Sequence, residues 1–336
     1  MLRDNNFLKL SILAVVLALS VVVLGAYVRL TDAGLGCPDW PGCYGHIDVP
    51  RTAAEIESAN QAYPDRPVEI GKAWNEMLHR YLASFLGLVI VVLAFSAWRR
   101  RQRRQQQVAL PLSLVALVIF QGLLGMWTVT LLLKPAIVTG HLLGGMTITA
   151  LLWLLALRHC GLFMPTTQPT AHRTYMWLSA LGLVILSLQI ALGGWTSTNY
   201  AAMACPDFPT CHTQWLPWWD ADQAFKIWHG LGADYEGGVL TNEARVTIHA
   251  VHRLGALITF LYIGALAVFI ATRECGNLRG IALIVLACLV IQVGLGIANV
   301  VMSLPLPVAV AHNGGAAVLL LTMITLLHSV IPRRTL

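Results

Sequence analysis

Long apolar runs, broken by two long polar segments, set the pattern of this chain. Eight mostly apolar stretches run at roughly 8–30, 76–98, 108–131, 136–157, 175–197, 246–271, 279–302 and 307–331. A bilayer's hydrocarbon core takes about 20 helical residues to cross. A lone strand there leaves its backbone N–H and C=O groups without partners, so each stretch predicts a transmembrane helix. The first stretch follows Arg3 and Lys9, as a signal peptide's apolar run would. It is too long for one, and it ends in Tyr27-Val28-Arg29 rather than at a small-residue cleavage site.

Composition strengthens this reading. The 336 residues would suffice for two soluble domains, but 57% are hydrophobic and only 11% charged. A soluble domain carries about 25% charged residues. Soluble, disordered, collagen-like and small disulfide-rich classes are excluded, and the predicted class is an all-α integral membrane protein.

The net charge of +6 reports orientation. Arg99, Arg100, Arg101, Arg103 and Arg104 sit between spans 2 and 3, and Arg158 and Arg173 flank connection 4–5. Arg273 and Arg279 flank connection 6–7, and Arg333 and Arg334 close the chain. With Arg3 and Lys9 they fall on one side, which the positive-inside rule makes cytoplasmic. All the acids except Asp4 and Glu274 lie within 31–76 or 199–243. The expectation is two cytoplasmic termini, two long outward loops, and no nucleic-acid partner.

The chain is also one motif written twice. Cys37-Pro-Asp-Trp-Pro-Gly-Cys43 returns as Cys205-Pro-Asp-Phe-Pro-Thr-Cys211, an offset of 168. Gln121 and His141 return as Gln292 and His312, an offset of 171; His79-Arg80 returns as His252-Arg253, an offset of 173. Two pseudo-symmetric four-helix bundles follow, residues 1–160 and 175–336, joined by a cytoplasmic linker at 161–174. An even helix count per half makes the repeats parallel, related by an axis along the membrane normal.

Four of the eleven histidines occupy repeated positions inside spans: His79, His141, His252 and His312. Each falls near the outer end of an inward-running helix, so all share one depth. Two imidazoles facing across a four-helix bundle form a bis-histidine heme site, which makes these four the candidate axial ligands of heme iron. The other reading is polar packing residues bonded within the bundle, although ionisable residues at membrane depth are functional candidates by default. Gly144-Gly145 and Gly314-Gly315 follow a histidine by one turn and read as porphyrin clearance or as close helix packing. Arg80 and Arg253 read as partners of heme propionates or as arginines snorkelling to water. His46, His212, His229, His159, His172 and His328 read as surface residues.

The halves differ at one place. Glu76 precedes His79 by three residues, on the same helix face, whereas His249 holds the matching position before His252. A partly desolvated carboxyl there reads as an acid–base group; a helix-start glutamate favoured by the dipole is the alternative. Cys37, Cys43, Cys205 and Cys211 lie in outward loops and are disulfide candidates. Four cysteines also meet a zinc site's ligand count, but the two pairs belong to separate halves.

The run Gly25–Cys43, the Glu76-x-x-His79-Arg80 motif, the helix starts at His141 and His312 and the His252-Arg253 pair together resemble the heme A synthase family, over essentially the whole chain. The form is similar to the proteobacterial one, with cysteine pairs in both halves. The resemblance implies an oxidoreductase that converts heme O to heme A. In this reaction the C8 methyl becomes a formyl group through a hydroxymethyl intermediate, heme I. It implies heme b held by His252 and His312, and the substrate heme held by His79 and His141 with Glu76 important for activity. It implies the cell inner membrane, periplasmic cysteine loops, and heme O synthase, cytochrome c oxidase assembly factors and an electron-transfer partner. Membrane lipid surrounds such a chain, and self-association into a homo-oligomer is compatible with it. The histidines alone also fit a non-catalytic diheme electron-transfer cytochrome, and the parallel repeat alone fits a transporter.

Overall fold

The computed structural model describes residues 5–102, 108–160, 169–215, 217, 219–228, 230 and 232–331, with side chains from 173 onward in the helix that starts at 169. All regular structure in them is helical. Eight helices are long and apolar enough to cross a bilayer. They are α1 (Asn5–Leu30), α3 (Ile70–Arg99), α4 (Ala109–Thr130), α5 (Pro135–Cys160), α6 (Pro169–Thr198), α8 (Asn242–Arg273), α9 (Gly276–Val301) and α10 (Leu306–Val330). The chain is a multi-pass membrane protein. Outward side chains such as Leu88, Ile119, Leu188, Leu261 and Ile291 stay more than half exposed, an arrangement that only hydrocarbon tolerates over so much surface.

Two helices are additional. The first long loop contains α2 (Ala53–Ala62), opened by a capping box in which Thr52 and Glu55 satisfy each other's backbone N–H. The second contains the single turn α7 (Ala221–Ala224), capped by Asp220. Hydropathy is blind to both because neither buries an apolar face in lipid. Two boundaries also shift. α3 starts six residues before the apolar run, at Ile70, and α6 starts at Pro169, inside the segment expected to be a linker. Proline is well placed in a first helical turn, where its missing N–H would have no partner. The rest of that linker, with Arg3, Arg103, Arg104, His229, Arg333 and Arg334, lies outside the described residues.

Helix neighbours follow the repeat. α1 and α4 each pack against both α3 and α5; α6 and α9 each pack against both α8 and α10. Between these sets, α1 meets α10 and α5 meets α6 and α10. One buried apolar cluster gathers Leu86, Ile90, Leu93, Leu114 and Leu152, and another gathers Ile263, Leu266, Leu289, Leu320 and Met323. The backbone repeats as well. Left-handed residues pair at the sequence offsets: Asp32 with Tyr200, Tyr44 with His212, Leu132 with Ser303 and Leu133 with Leu304.

At one end the two long loops knit the halves together. Arg29 donates to the Ser197 carbonyl at 2.6 Å and lies 4.0 Å from the Tyr200 ring centroid. Tyr235 N–H donates to the Leu132 carbonyl at 3.1 Å, and Arg66 pairs with Asp234 and Glu236. The buried Lys134 donates to the Gly230 carbonyl and lies over the Trp228 ring.

Candidate functional site

The repeated histidines lie near the long-loop ends of α3, α5, α8 and α10. His79 on α3 faces His141 on α5, with ring centroids 6.4 Å apart and ring planes at 72°. His252 on α8 and His312 on α10 line one cavity of about 320 Å³, together with Gln189, Gln292, Arg253 and Phe208.

Each imidazole is pressed against a glycine of the preceding transmembrane helix. A methyl group at Gly25 (α1), Gly125 (α4), Gly193 (α6) or Gly296 (α9) would sit 3.0–3.2 Å from Cε1 of His79, His141, His252 or His312 respectively. That is inside ordinary carbon–carbon contact, so only glycine allows the ring so near the neighbouring backbone. The motif is the same four times, once per histidine.

Glutamines supply a second restraint. Gln121 Nε2 donates to the His141 carbonyl at 2.6 Å, and Gln292 Nε2 donates to the His312 carbonyl at 2.9 Å. Their amides lie over Gly144 and Gly315, where a Cβ would overlap the Oε1 atom. These contacts fit the close-packing reading of the glycine pairs: Gly144 and Gly315 make room for glutamine, and Gly314 packs on Val23. Gln189 is a third clamp. Its Nε2 is 3.0 Å from the His252 carbonyl and 3.1 Å from His252 Nδ1, over Gly255. Sequence comparison of the halves passes over Gln189 because its repeat position is Val21; a lone glutamine in an apolar span was the available signal. Leu82 likewise stands where Gly255 stands. His79 is therefore the one histidine of the four without this clamp.

The donor set fits a heme. A metal–imidazole bond is about 2 Å and the ring centroid lies roughly 1 Å further back, so one metal between two rings sets the centroids about 6 Å apart. The observed separation is 6.4 Å. Nδ1 of His79, His141 and His312 is buried without a hydrogen-bond partner, as is Oε1 of all three glutamines. Buried polar atoms are rarely left this way unless something else belongs beside them.

Glu76 and His249 hold equivalent posts between site and loop. The buried Glu76 carboxylate accepts from Cys37 N–H at 2.9 Å and from Arg80 at 2.5 Å. His249 places Nδ1 3.2 Å from Cys205 N and Nε2 3.2 Å from Arg253 Nε. A carboxylate accepts from both neighbours; a neutral imidazole has one accepting nitrogen. Arg80 also donates to the Pro41 and Gly42 carbonyls, and Arg253 to those of Cys205, Asp207 and Thr210. Both guanidinium groups thus tie the loops down. Disulfides Cys37–Cys43 and Cys205–Cys211 close the same loops, which engages all four cysteines of the zinc alternative.

Fold and site together define a polytopic helical membrane protein built around paired intramembrane histidines. The sequence matches the family of cytochrome oxidase assembly proteins (COX15-CtaA) over residues 9–324. It is 46% identical to the heme A synthase of Shewanella oneidensis over 94% of this chain and 93% of that protein. It is 29% identical to the heme A synthase of Allorhizobium ampelinum over 95% of this chain and 89% of that one. The chain belongs to the heme A synthase family.

Two predictions follow from these contacts. Gly144→Ala should destabilise the protein by about 1–3 kcal/mol by displacing the Gln121 amide. In Gln121→Ala the same change should cost little, so a double-mutant cycle of thermal unfolding in detergent reads the coupling. The second prediction concerns pH. The Thr210 hydroxyl, then the Thr213 and His212 N–H groups, hold the Asp207 carboxyl down at about 2. A depressed carboxyl stabilises above its unfolded pKa of about 4 and loses that contribution as pH falls through the folded value. Asp207→Asn should therefore melt below the wild type at pH 7, and the gap should close between about pH 4 and 2.

Proposed function

We propose that this chain is a heme A synthase, converting heme O to heme A by oxidising the C8 methyl group to a formyl group through the hydroxymethyl stage, heme I. The observation that carries the reading is the facing imidazole pair His79/His141, repeated as His252/His312, in a chain of this family. Substrate heme O binds between His79 and His141 in residues 1–160. Heme b is held by His252 and His312 in residues 175–336, where it supplies one-electron redox chemistry.

The chain's own residues divide the work unequally. Gln189 and Gln292 fix both histidine-bearing helices of the second half by their carbonyls, which suits a site that keeps both ligands. In the first half only His141 is clamped in this way. A heme with two histidines bound offers no open iron position, so either one ligand yields during turnover or the methyl group gives up electrons and water supplies the oxygen. The unclamped His79 is the ligand placed to yield in the first route. In the second, oxidation of the methyl carbon by water also releases protons. Glu76, one turn before His79, is the only acid buried among the described residues, so it is the side chain placed to take them. Arg80 and the Cys37 N–H orient its carboxylate.

The basic connections support a cytoplasmic placement of their end in the cell inner membrane, with the cysteine loops periplasmic. Heme O synthase then supplies substrate, cytochrome c oxidase assembly receives product, and an electron-transfer partner takes the electrons.

Expression in a host that makes heme O but no heme A tests the reaction. Extracted hemes should include the hydroxymethyl or formyl porphyrin by chromatography and mass; heme O and heme b alone would leave a diheme electron carrier. Glu76→Gln should keep both hemes yet lower formyl formation, and full retention of rate would remove its proton-accepting role. The double variant Val21→Gln/Leu82→Gly transfers the clamp onto His79. It should retain heme by absorption spectroscopy while slowing product formation roughly five- to tenfold, the weight of about one hydrogen bond. An unchanged rate would show that His79 mobility is irrelevant.

A further inference from the structure

A cavity of about 660 Å³ lies away from the histidines between α5, α6 and α10. It runs along α5 from Leu143 to Arg158, about 22 Å at the helical rise. One leaflet including its headgroup layer measures about 20–22 Å. The walls are apolar, with Met146, Ala150, Ile190 and Ile324 among them. Thr147 and Ser187 also face it, but their hydroxyls already donate to Leu143 and Leu183 of their own helices. Thr147, Ser187 and Arg158 are exposed, so the cleft opens sideways toward the acyl phase. Arg158 and His328 stand at the end far from the long loops.

Duplication provides an internal control. The equivalent groove, between α10, α1 and α5, is filled. Leu321 takes the place of Ala150, and Trp153 that of Ile324. Trp153 donates to the Thr325 hydroxyl at 2.8 Å and packs, with Leu321, in the cluster containing Val15 and Ala18 of α1. The polar end is lost too, because Ser329 replaces Arg158 and Leu157 replaces His328. The open groove and the basic end thus occur on the same side of the repeat, and the filled side has neither.

We propose that this cleft binds one anionic phospholipid, its acyl chain along Ala150 and Ile324 and its phosphate at Arg158, with His328 beside it. A basic group at the interfacial mouth of an interhelical pocket recognises such headgroups. A neutral isoprenoid quinone would fill the same apolar walls but would find no use for the arginine's charge.

Native mass spectrometry of the delipidated full chain tests this with phosphatidylglycerol and phosphatidylcholine of equal acyl length. The wild type should bind phosphatidylglycerol saturably and about fivefold more tightly. Arg158→Gln should reduce phosphatidylglycerol to the phosphatidylcholine level, and Arg158→Lys should keep the preference. Ile324→Trp, which copies the filled side, should lower occupancy by both lipids; Ala150→Leu serves if that variant does not fold. Undiminished binding in the folded filled variant, a preference that survives Arg158→Gln, or a quinone that outcompetes phosphatidylglycerol would overturn the proposal.

Discussion

The contact on which the rest depends is an imidazole edge laid against a glycine backbone. It occurs four times, between α1 and α3, α4 and α5, α6 and α8, and α9 and α10. Each contact fixes how near two helices come and which way a ring points. In hydrocarbon there is no hydrophobic force between helices, so close backbone approach and hydrogen bonds set the packing. Glycine gives the approach, and glutamine over a second glycine gives the bond. The site is therefore part of the packing rather than an addition to it.

The loops inherit their geometry from the same helices. Glu76 and Arg80 stand one turn apart on α3, as His249 and Arg253 do on α8, and each pair grips the first cysteine's backbone of its own loop. A disulfide and a carboxylate-held turn then finish each loop. Asp39 bonds the N–H groups of Tyr44 and Gly45; Asp207 bonds those of His212 and Thr213. Loop and site are thus coupled through one helical turn. The pairing of Arg66 with Asp234 and Glu236 extends the coupling across the halves.

Much of this was legible in the sequence, for physical reasons. Spans show because hydrocarbon demands long apolar runs, and the histidine, cysteine and arginine positions show because they repeat. The family resemblance read from Gly25–Cys43 and Glu76–Arg80 agrees with the matched relatives. What escaped was of two kinds. α2 and α7 are loop helices with no lipid-facing run. Gln189 and the glutamine contacts of Gly144 and Gly315 depend on which side chain crosses to which neighbouring helix, and spacing along one helix does not carry that. The loop contacts of Arg80 and Arg253 escaped as well, because the sequence does not reveal which carbonyls reach a guanidinium.

A duplicated scaffold separates shared architecture from specialised parts. Positions that match across the halves, such as the four glycine–histidine contacts and both disulfide loops, describe what any such half needs in order to fold. Positions that fail to match are where the halves have separate tasks. Val21 and Leu82 against Gln189 and Gly255 leave one histidine without the glutamine contact. Glu76 against His249 places a carboxylate beside that same histidine. The two departures meet at a single point, His79, although they come from α1 and α3 and are remote in sequence. Their convergence on one histidine, with the opposite half kept fully clamped, supports the proposed division between a reacting heme and an electron-carrying heme.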